Sequence, residues 1–595
     1  MKIAGANKIA TVVNLSRVAF GAYKSEILIL TVLGFLSGSL GAISINAIVP
    51  LFSFVINQEG GDDIISQTIE KIFLFFNLDF GIRYLLILVV FLFVLQAFVI
   101  ILFTYISSKI TLEYEEKNKT RLFSNFLKAN WGYLLKEKLG HLETVLTVNV
   151  RNSSAMLNQI SGAIMNFFSM VIYILVALNI SFYITLSALV LGLVVFLATK
   201  PFVYKARMIS YEVDLTNKDI SHHVNENILG MKTIKSMDVE EQVSGTGEGY
   251  FVKLKTLGLR FAVINAITSI TMQPVSLIFI CVIFILSYKS PNFSLAALIA
   301  VVYLIRQIFS YFEQLQKRIL NMSSLVPFLR KVLEYEKTAK EHREANTGGK
   351  LFEFNNDLEF KDISFFYDTG RNVLEGLNFT IKKGELVGLI GHSGAGKTTI
   401  VDLLLRLFKP TKGKILIDGV DIEKINMSDW RKNIGYISQD MFLKNGTISE
   451  NIKFYDEKIS DQVMEEAARM ANIYDFIETL PNKFSTVIGE RGILLSAGQR
   501  QRVVIARVLA RKPRILVMDE ATSALDNESE IQIQKVIENL RGKITVLVVA
   551  HRLSTIINSD RLLVLDDGKI VESGQPSELL KNKETYFYKV YNIRN

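Results

Sequence analysis

The sequence predicts a two-part chain: a membrane α-helical domain with six transmembrane helices, then an α/β domain of the phosphate-loop type. Three observations predict it. Half of the 595 residues are hydrophobic, only 21% are charged and mean hydropathy is +0.30, against about 25% charged for soluble domains. The apolar residues crowd into the first half, in six runs long enough to cross a hydrocarbon core of roughly 30 Å. In the second half, short β-rich runs alternate with amphipathic helical ones, and one Gly-rich loop lies between a strand and a helix.

Residues 1–25 read as an interfacial segment, with Ile9–Tyr23 an amphipathic helix on the inner membrane surface. No removable signal peptide is expected there. Residues 26–330 form the transmembrane domain. Its spans are Ile27–Ile56, Tyr84–Ile106, Leu157–Ala177, Phe182–Val203, Ala262–Ser287 and Leu295–Gln316. The outer segment Asn57–Asp79 sets Ile65, Ile69, Ile72, Phe73 and Phe76 on one helical face, which predicts a short external helix. Spans three and four, and five and six, are joined by tight turns, Leu178–Ser181 and Tyr288–Phe293. The inner connections are long and helical in period. A helix from Tyr84 to Leu127 would reach roughly 65 Å, about twice the hydrocarbon thickness. The spans are therefore expected to continue into the cytoplasm as rods ending near Asn130–Leu139 and Asn227–Lys235.

The net charge is +9. Lys and Arg crowd segments 109–138 and 200–260, while the outer segments 57–83 and 288–293 carry only Lys71, Arg83 and Lys289. This positive-inside pattern places both termini, and the second domain, in the cytoplasm. The basic excess is membrane topology plus affinity for anionic lipid, not a nucleic-acid footprint. The single cysteine, Cys281, lies in span five, so no disulfide can form within the chain. Arg306, Ser310, Glu313 and Lys317 make one polar stripe down span six. Such groups at membrane depth line a cavity or meet a partner. Arg306 and Ser310 are the candidate substrate contacts. Residues 331–349 are hydrophilic, end in Gly348-Gly349 and read as a linker; the α/β domain is 350–595.

Gly391-His392-Ser393-Gly394-Ala395-Gly396-Lys397-Thr398 matches the phosphate-loop pattern in full. An apolar strand enters it, and a helix beginning Thr399-Ile400-Val401 leaves it. Glycines let backbone N–H groups curl around phosphate oxygens, and the helix N-terminus adds partial positive charge. Lys397 supplies a full charge to the β- and γ-phosphates, and the Thr398 hydroxyl can ligate Mg²⁺. A second strand, Ile515–Met518, ends in Asp519-Glu520: one carboxylate for Mg²⁺, one to polarise an attacking water.

The remaining motifs carry a family resemblance. Leu495-Ser496-Ala497-Gly498-Gln499 resembles the signature sequence of ABC proteins. Gln439 resembles the Q-loop glutamine, Ser523-Ala524-Leu525-Asp526 the D-loop, and His551 the switch histidine. Tyr367 stands where the family stacks an aromatic ring on adenine, and Gly489-Glu490-Arg491-Gly492 resembles a motif that exporters place before the signature. Order and spacing match across 350–595. The six spans with long inner loops resemble the membrane domain of ABC exporters, so the resemblance covers nearly the whole chain.

The resemblance implies an ATP-driven ABC exporter or flippase working by alternating access. Its expected cofactors are ATP and Mg²⁺. Contacts to ATP would come from Tyr367, the loop Gly391–Thr398, Thr399, Ser496, Gly498, Gln499 and Asp526. Catalysis would rest on Glu520, His551 and Gln439, and metal binding on Thr398, Gln439 and Asp519. One nucleotide domain per chain implies a dimer. Glu520 and His551 are both present, which favours two identical chains and two working sites. Ala497 departs from the family's usual glycine, and its Cβ could crowd the phosphate. Span one, from Ala42-Ile43-Ser44-Ile45 to Pro50, looks somewhat like flippases for lipid-linked oligosaccharides. Lipid, lipid-linked oligosaccharide or drug are the expected cargoes in a bacterial-type cytoplasmic membrane; peptide export and an ATP-gated channel are the alternatives.

Overall fold

The computed structural model describes residues 19–47, 51, 71, 73, 80–137, 139–287, 295–346, 348–367, 370, 372–519, 526–550, 552 and 556–589. It forms two compact units, Met1–Arg343 and Glu344–Asn595.

The first unit is helical. Its elements are α1 (Lys24–Asn46), α2 (Ile82–Leu127), α3 (Trp131–Lys136), α4 (Leu139–Thr144), α5 (Val150–Ile180), α6 (Phe182–Ala198), α7 (Lys200–Leu229), α8 (Met231–Met237), α9 (Glu240–Ile270), α10 (Met272–Ser287) and α11 (Leu295–Glu341). Among the described residues, five helical runs are long and apolar enough to cross a membrane: Gly21–Ile45, Ile82–Leu127, His141–Asn179, Phe182–Leu229 and Glu240–Leu286. The sixth expected span is the first part of α11. The rod expected from Tyr84 to Leu127 is one unbroken helix, α2. Ile87, Phe91 and Phe98 on it stand more than 60% exposed. An apolar face of that size marks a surface that meets lipid or another protein.

The turn between spans three and four is as tight as expected: α5 ends at Ile180, Ser181 is extended and α6 begins at Phe182. The fourth and fifth runs each carry a break in the helical ladder, at Thr199 before Pro201 and at Thr271 before Pro274. Proline removes an N–H and crowds the preceding turn. The rods end in the short helices α3 and α8, where the cytoplasmic tips were expected. Asn130 caps α3 by accepting the Tyr133 N–H at 2.9 Å. The core of the unit joins α1, α2, α5 and α11 through Leu30, Phe103, Ile110, Tyr114, Met156, Leu157, Val326 and Leu329. Arg318 of α11 lies against α5 at Gly162, where a Cβ would come 2.5 Å from Cζ, and donates to Gln159 Oε1 at 3.0 Å.

One boundary differs from expectation. α11 continues to Glu341, so most of the stretch read as a linker is helix. Its charges are spaced to pair along the helix: Lys340 with Glu336 at 2.7 Å and Lys337 with Glu341 at 3.8 Å. Hydrophilicity there marks an exposed helix, not a loose one. Of the expected outer helix within 57–79 only Lys71 and Phe73 are described, Phe73 buried in a cluster with Ala47, Leu85 and Val89; the rest of it, the turn Tyr288–Phe293 and most of the N-terminal helix Ile9–Tyr23 lie outside the described residues.

The second unit holds β1 (Asp357–Phe366), β2 (Asn372–Lys382), β3 (Leu386–Gly391), α12 (Lys397–Leu404), β4 (Lys412–Ile417), β5 (Val420–Asp421), α13 (Met427–Asn433), β6 (Ile434–Ile437), α14 (Ile448–Lys453), α15 (Asp461–Met470), α16 (Tyr474–Thr479), α17 (Ala497–Leu509), β7 (Ile515–Asp519), α18 (Asn527–Leu540), β8 (Thr545–Val549), β9 (Arg561–Asp566), β10 (Lys569–Gly574) and α19 (Pro576–Leu579). One sheet is antiparallel, in the order β2-β1-β4-β5. The other runs β10-β9-β3-β8-β7-β6 and is parallel except at β10. Every residue of β7 and β8 is buried, as strands covered on both faces must be. One apolar cluster, including Phe360, Ile400 and Leu547, fills the space between the sheets; another, including Val503, Met518 and Ile533, packs helices on the far face.

Candidate nucleotide-binding site

In parallel sheets, ligands bind outside the carboxyl ends of the strands. Three parts of the expected site lie there. The phosphate loop follows β3, Asp519 ends β7 and Gln439 follows β6. The loop depends on its glycines. Gly394 and Gly396 have φ of 85° and 107°, which a side chain resists. A Cβ on Gly391 would fall on the Leu565 carbonyl. Lys397 opens α12 and is 6% exposed; its ammonium donates to the carbonyls of Gly391 at 2.9 Å and His392 at 3.0 Å. His392, Ser393, Gly394 and Thr398 face solvent, and Ala395 and Thr399 are buried. His392 Nε2 stands 3.2 Å from Asp566 at the end of β9.

Asp402, one helical turn beyond Thr398, was not singled out from the sequence. Its carboxyl is pushed up to about 6 by burial and by the charge of Asp519. The Tyr436 hydroxyl is raised by burial, then by Asp519 and Asp402. Two carboxyls thus converge behind the loop, with Asp519 only 5% exposed. The signal was present as an acid on the Lys397 helix, but its nearness to Asp519 is a tertiary fact. Tyr367 packs its ring edge-on to Phe365 and Phe408 at 4.9 and 5.5 Å, and its hydroxyl shares a hydrogen bond with Thr399 Oγ1 at 3.2 Å. Gln439 is exposed. Glu520, His551 and Ser523–Leu525 lie outside the described residues.

The signature residues begin a different helix, α17. Ser496 is its N-cap. Its hydroxyl accepts the Gln499 N–H at 3.2 Å, while Gln499 Oε1 accepts the Ser496 N–H at 2.9 Å. This reciprocal box satisfies two helix-end donors. Ala497 is half-buried, packed on the apolar cluster that contains Ile488 and Leu495. Asp526 caps α18, accepting the Ser529 N–H at 3.2 Å. In the other unit, Arg306 is exposed on α11. Ser310 is half-buried and accepts from Gln314 at 3.2 Å.

Residues 374–523 match the ABC transporter family, and residues 27–312 match the ABC transporter transmembrane region. An ATP-dependent lipid A-core flippase of Saccharophagus degradans is 33% identical over 478 residues, 79% of this chain and 80% of the relative. The chain belongs to the ABC transporter family. A second flippase of the same name, from Syntrophus aciditrophicus, is 31% identical and covers 83% of this chain and 82% of its own length. The solved structure of a bacterial Atm1-family ABC exporter with ATP bound superposes with a TM-score of 0.77 at 22% identity, over 96% of this chain and 99% of the other, and shares the fold. This transporter is of the exporter type, with one membrane domain fused to one nucleotide-binding domain. It binds and hydrolyses ATP to drive export, it crosses the membrane several times, and as a half-transporter it needs a second half.

Proposed function

We propose that two identical copies of the transporter pair in a bacterial cytoplasmic membrane, termini inward, and export an amphipathic lipid with a phosphate or pyrophosphate head group. Each ATP lies between the phosphate loop of one copy and Ser496, Gly498 and Gln499 of the other. Tyr367 stacks on adenine. Lys397, already held in the loop by two carbonyls, moves its charge onto the phosphates. Thr398, Asp519 and Gln439 would hold Mg²⁺ through their oxygens. Hard oxygen ligands suit that ion, and the crowding of Asp519 by Asp402 supports a cation there. When bound there, the ion would neutralise phosphate charge. Glu520 polarises the attacking water, His551 contacts the transferring phosphate, and Asp526 orders the edge of the site. Glu520→Gln is expected to cut kcat at least about a hundredfold while ATP affinity changes less than about twofold.

The cargo reading rests on Arg306. This exposed cation in a membrane helix has no carboxylate partner among the described residues. Ionisable groups at that depth face a cavity or a ligand of opposite charge. The name of the Saccharophagus degradans relative points to a lipid cargo. The test is ATP hydrolysis in proteoliposomes with phosphorylated lipids, lipid-linked sugars, neutral drugs and peptides. Phosphorylated lipids are expected to stimulate turnover, and Arg306→Ala to remove the stimulation. Stimulation by neutral drugs or peptides alone, or an intact lipid response in Arg306→Ala, overturns the reading.

A further inference from the structure

Two helix starts meet inside the nucleotide-binding unit. Ser496 caps α17, Asp526 caps α18, and between them Gly498 touches Ser529. A Cβ built on Gly498 falls on Ser529 Oγ and lies 2.5 Å from Ser529 Cβ and 3.6 Å from its Cα. All three nearest atoms belong to this one residue. Gly498 sits inside a helix, where alanine is the better former and no special backbone angle calls for glycine. The space a side chain would need is taken by the chain itself.

Ser529 is firmly placed. Its N–H is capped by Asp526, and it is 9% exposed. The next residue, Glu530, is 7% exposed and accepts from Arg552, which directly follows His551 in the chain. By contrast, Ala497 is half-buried and packs against the apolar cluster, so a side chain is accommodated there.

We infer that Ser529 is a positioning residue: it imposes glycine at 498 and fixes the signature motif to the helix that starts at Asp526, so that the two move as one piece. This rests on reading Leu495–Gln499 as the signature motif. The consequence is that a neighbour in the same chain is by itself enough to require glycine at 498.

The test uses the full-length transporter in proteoliposomes. Gly498→Ala is expected to lower the melting temperature and to cut kcat at least about tenfold, while the Kd for a fluorescent ATP analogue at the phosphate loop stays within about twofold. Adding Ser529→Gly, which removes both colliding atoms, should return kcat to within about threefold of Ser529→Gly alone and restore the melting temperature. Adding Ser529→Ala instead should restore neither, because Cβ remains. A double variant Gly498→Ala/Ser529→Gly as slow and as unstable as Gly498→Ala overturns the inference, as does wild-type kcat in Gly498→Ala. Where Ser529→Gly is itself active, recovery of melting temperature without recovery of kcat reduces the contact to packing and overturns the positioning role. Should Ser529→Gly be inactive by itself, the melting temperatures decide: a loss in Gly498→Ala undone by Ser529→Gly upholds the contact, and no recovery overturns it. Failure of the signature reading shows separately, as unimpaired turnover in Ser496→Ala.

Discussion

Phe454 and Tyr455, at the end of α14, both hold left-handed backbone, with φ of 39° and 64°. Left-handed backbone costs an L-residue roughly 1–2 kcal/mol. Compensation comes from cations. The guanidinium of Arg507 lies 4.3 Å from the Phe454 ring centre, and Lys444 lies 4.9 Å from that of Tyr455. Arg507 is itself buried, which lowers its pKa to about 10 with help from Arg511, and it donates to the Phe442 and Asn451 carbonyls. Tyr455 is 80% exposed and contributes little packing. Tyr455→Gly is therefore expected to raise the melting temperature. Tyr455→Val, with a β-branched side chain in the same backbone, should lower stability by about 1 kcal/mol. Thermal unfolding in detergent orders the three proteins; Val above Gly would contradict the strain. The same residue scale shows what a sequence can reveal about a site. The phosphate loop is a contiguous string whose chemistry is local, so each of its residues could be named in advance. Asp402 and Ser529 act through partners 117 and 31 positions away, Asp519 and Gly498, and no spacing rule links such pairs.

At the scale of the element, the long helical rods explain both a success and an error. Their length and period were legible because no proline falls within α2 or between Phe202 and the end of α9. The last rod was cut short because a run of Glu and Lys reads equally as linker or as exposed helix. Only the pairing along α11 separates the two. Inside α7 the rod carries a buried ion pair. Asp214 and Lys218 are 1% and 6% exposed, with Oδ2 and Nζ 3.2 Å apart. Removing one partner of a buried pair strands the other charge and costs about 3–5 kcal/mol, whereas replacing both by apolar groups is often neutral. Asp214→Ala is accordingly expected to unfold the transporter several degrees earlier, and Asp214→Leu with Lys218→Met to recover most of that loss. Equal melting temperatures for wild type and Asp214→Ala would show that the pair contributes nothing.

For the whole molecule, the decisive proposal is that each ATP is shared between two copies. One chain presents its phosphate loop after β3 and its signature at the start of α17, two separate helix ends within one unit. If a nucleotide bridges copies, defects must combine by chain, not by residue. Take Lys397→Ala to disable a phosphate loop and Ser496→Ala to disable a signature. Place the two changes on different chains of one dimer. Both defects then fall in the same composite site, and the other site keeps an intact loop and an intact signature. Place both changes on one chain paired with a wild-type chain, and each site receives one defect. Dimers of defined composition, purified through two different affinity tags, should therefore hydrolyse ATP faster in the first arrangement than in the second. The opposite order is required if each chain builds a complete site alone, because the second arrangement would then leave one wild-type chain untouched. Equal rates would mean that the two sites fire only together, a coupling that a dimer with one Lys397→Ala chain and one wild-type chain would show as loss of more than half the activity.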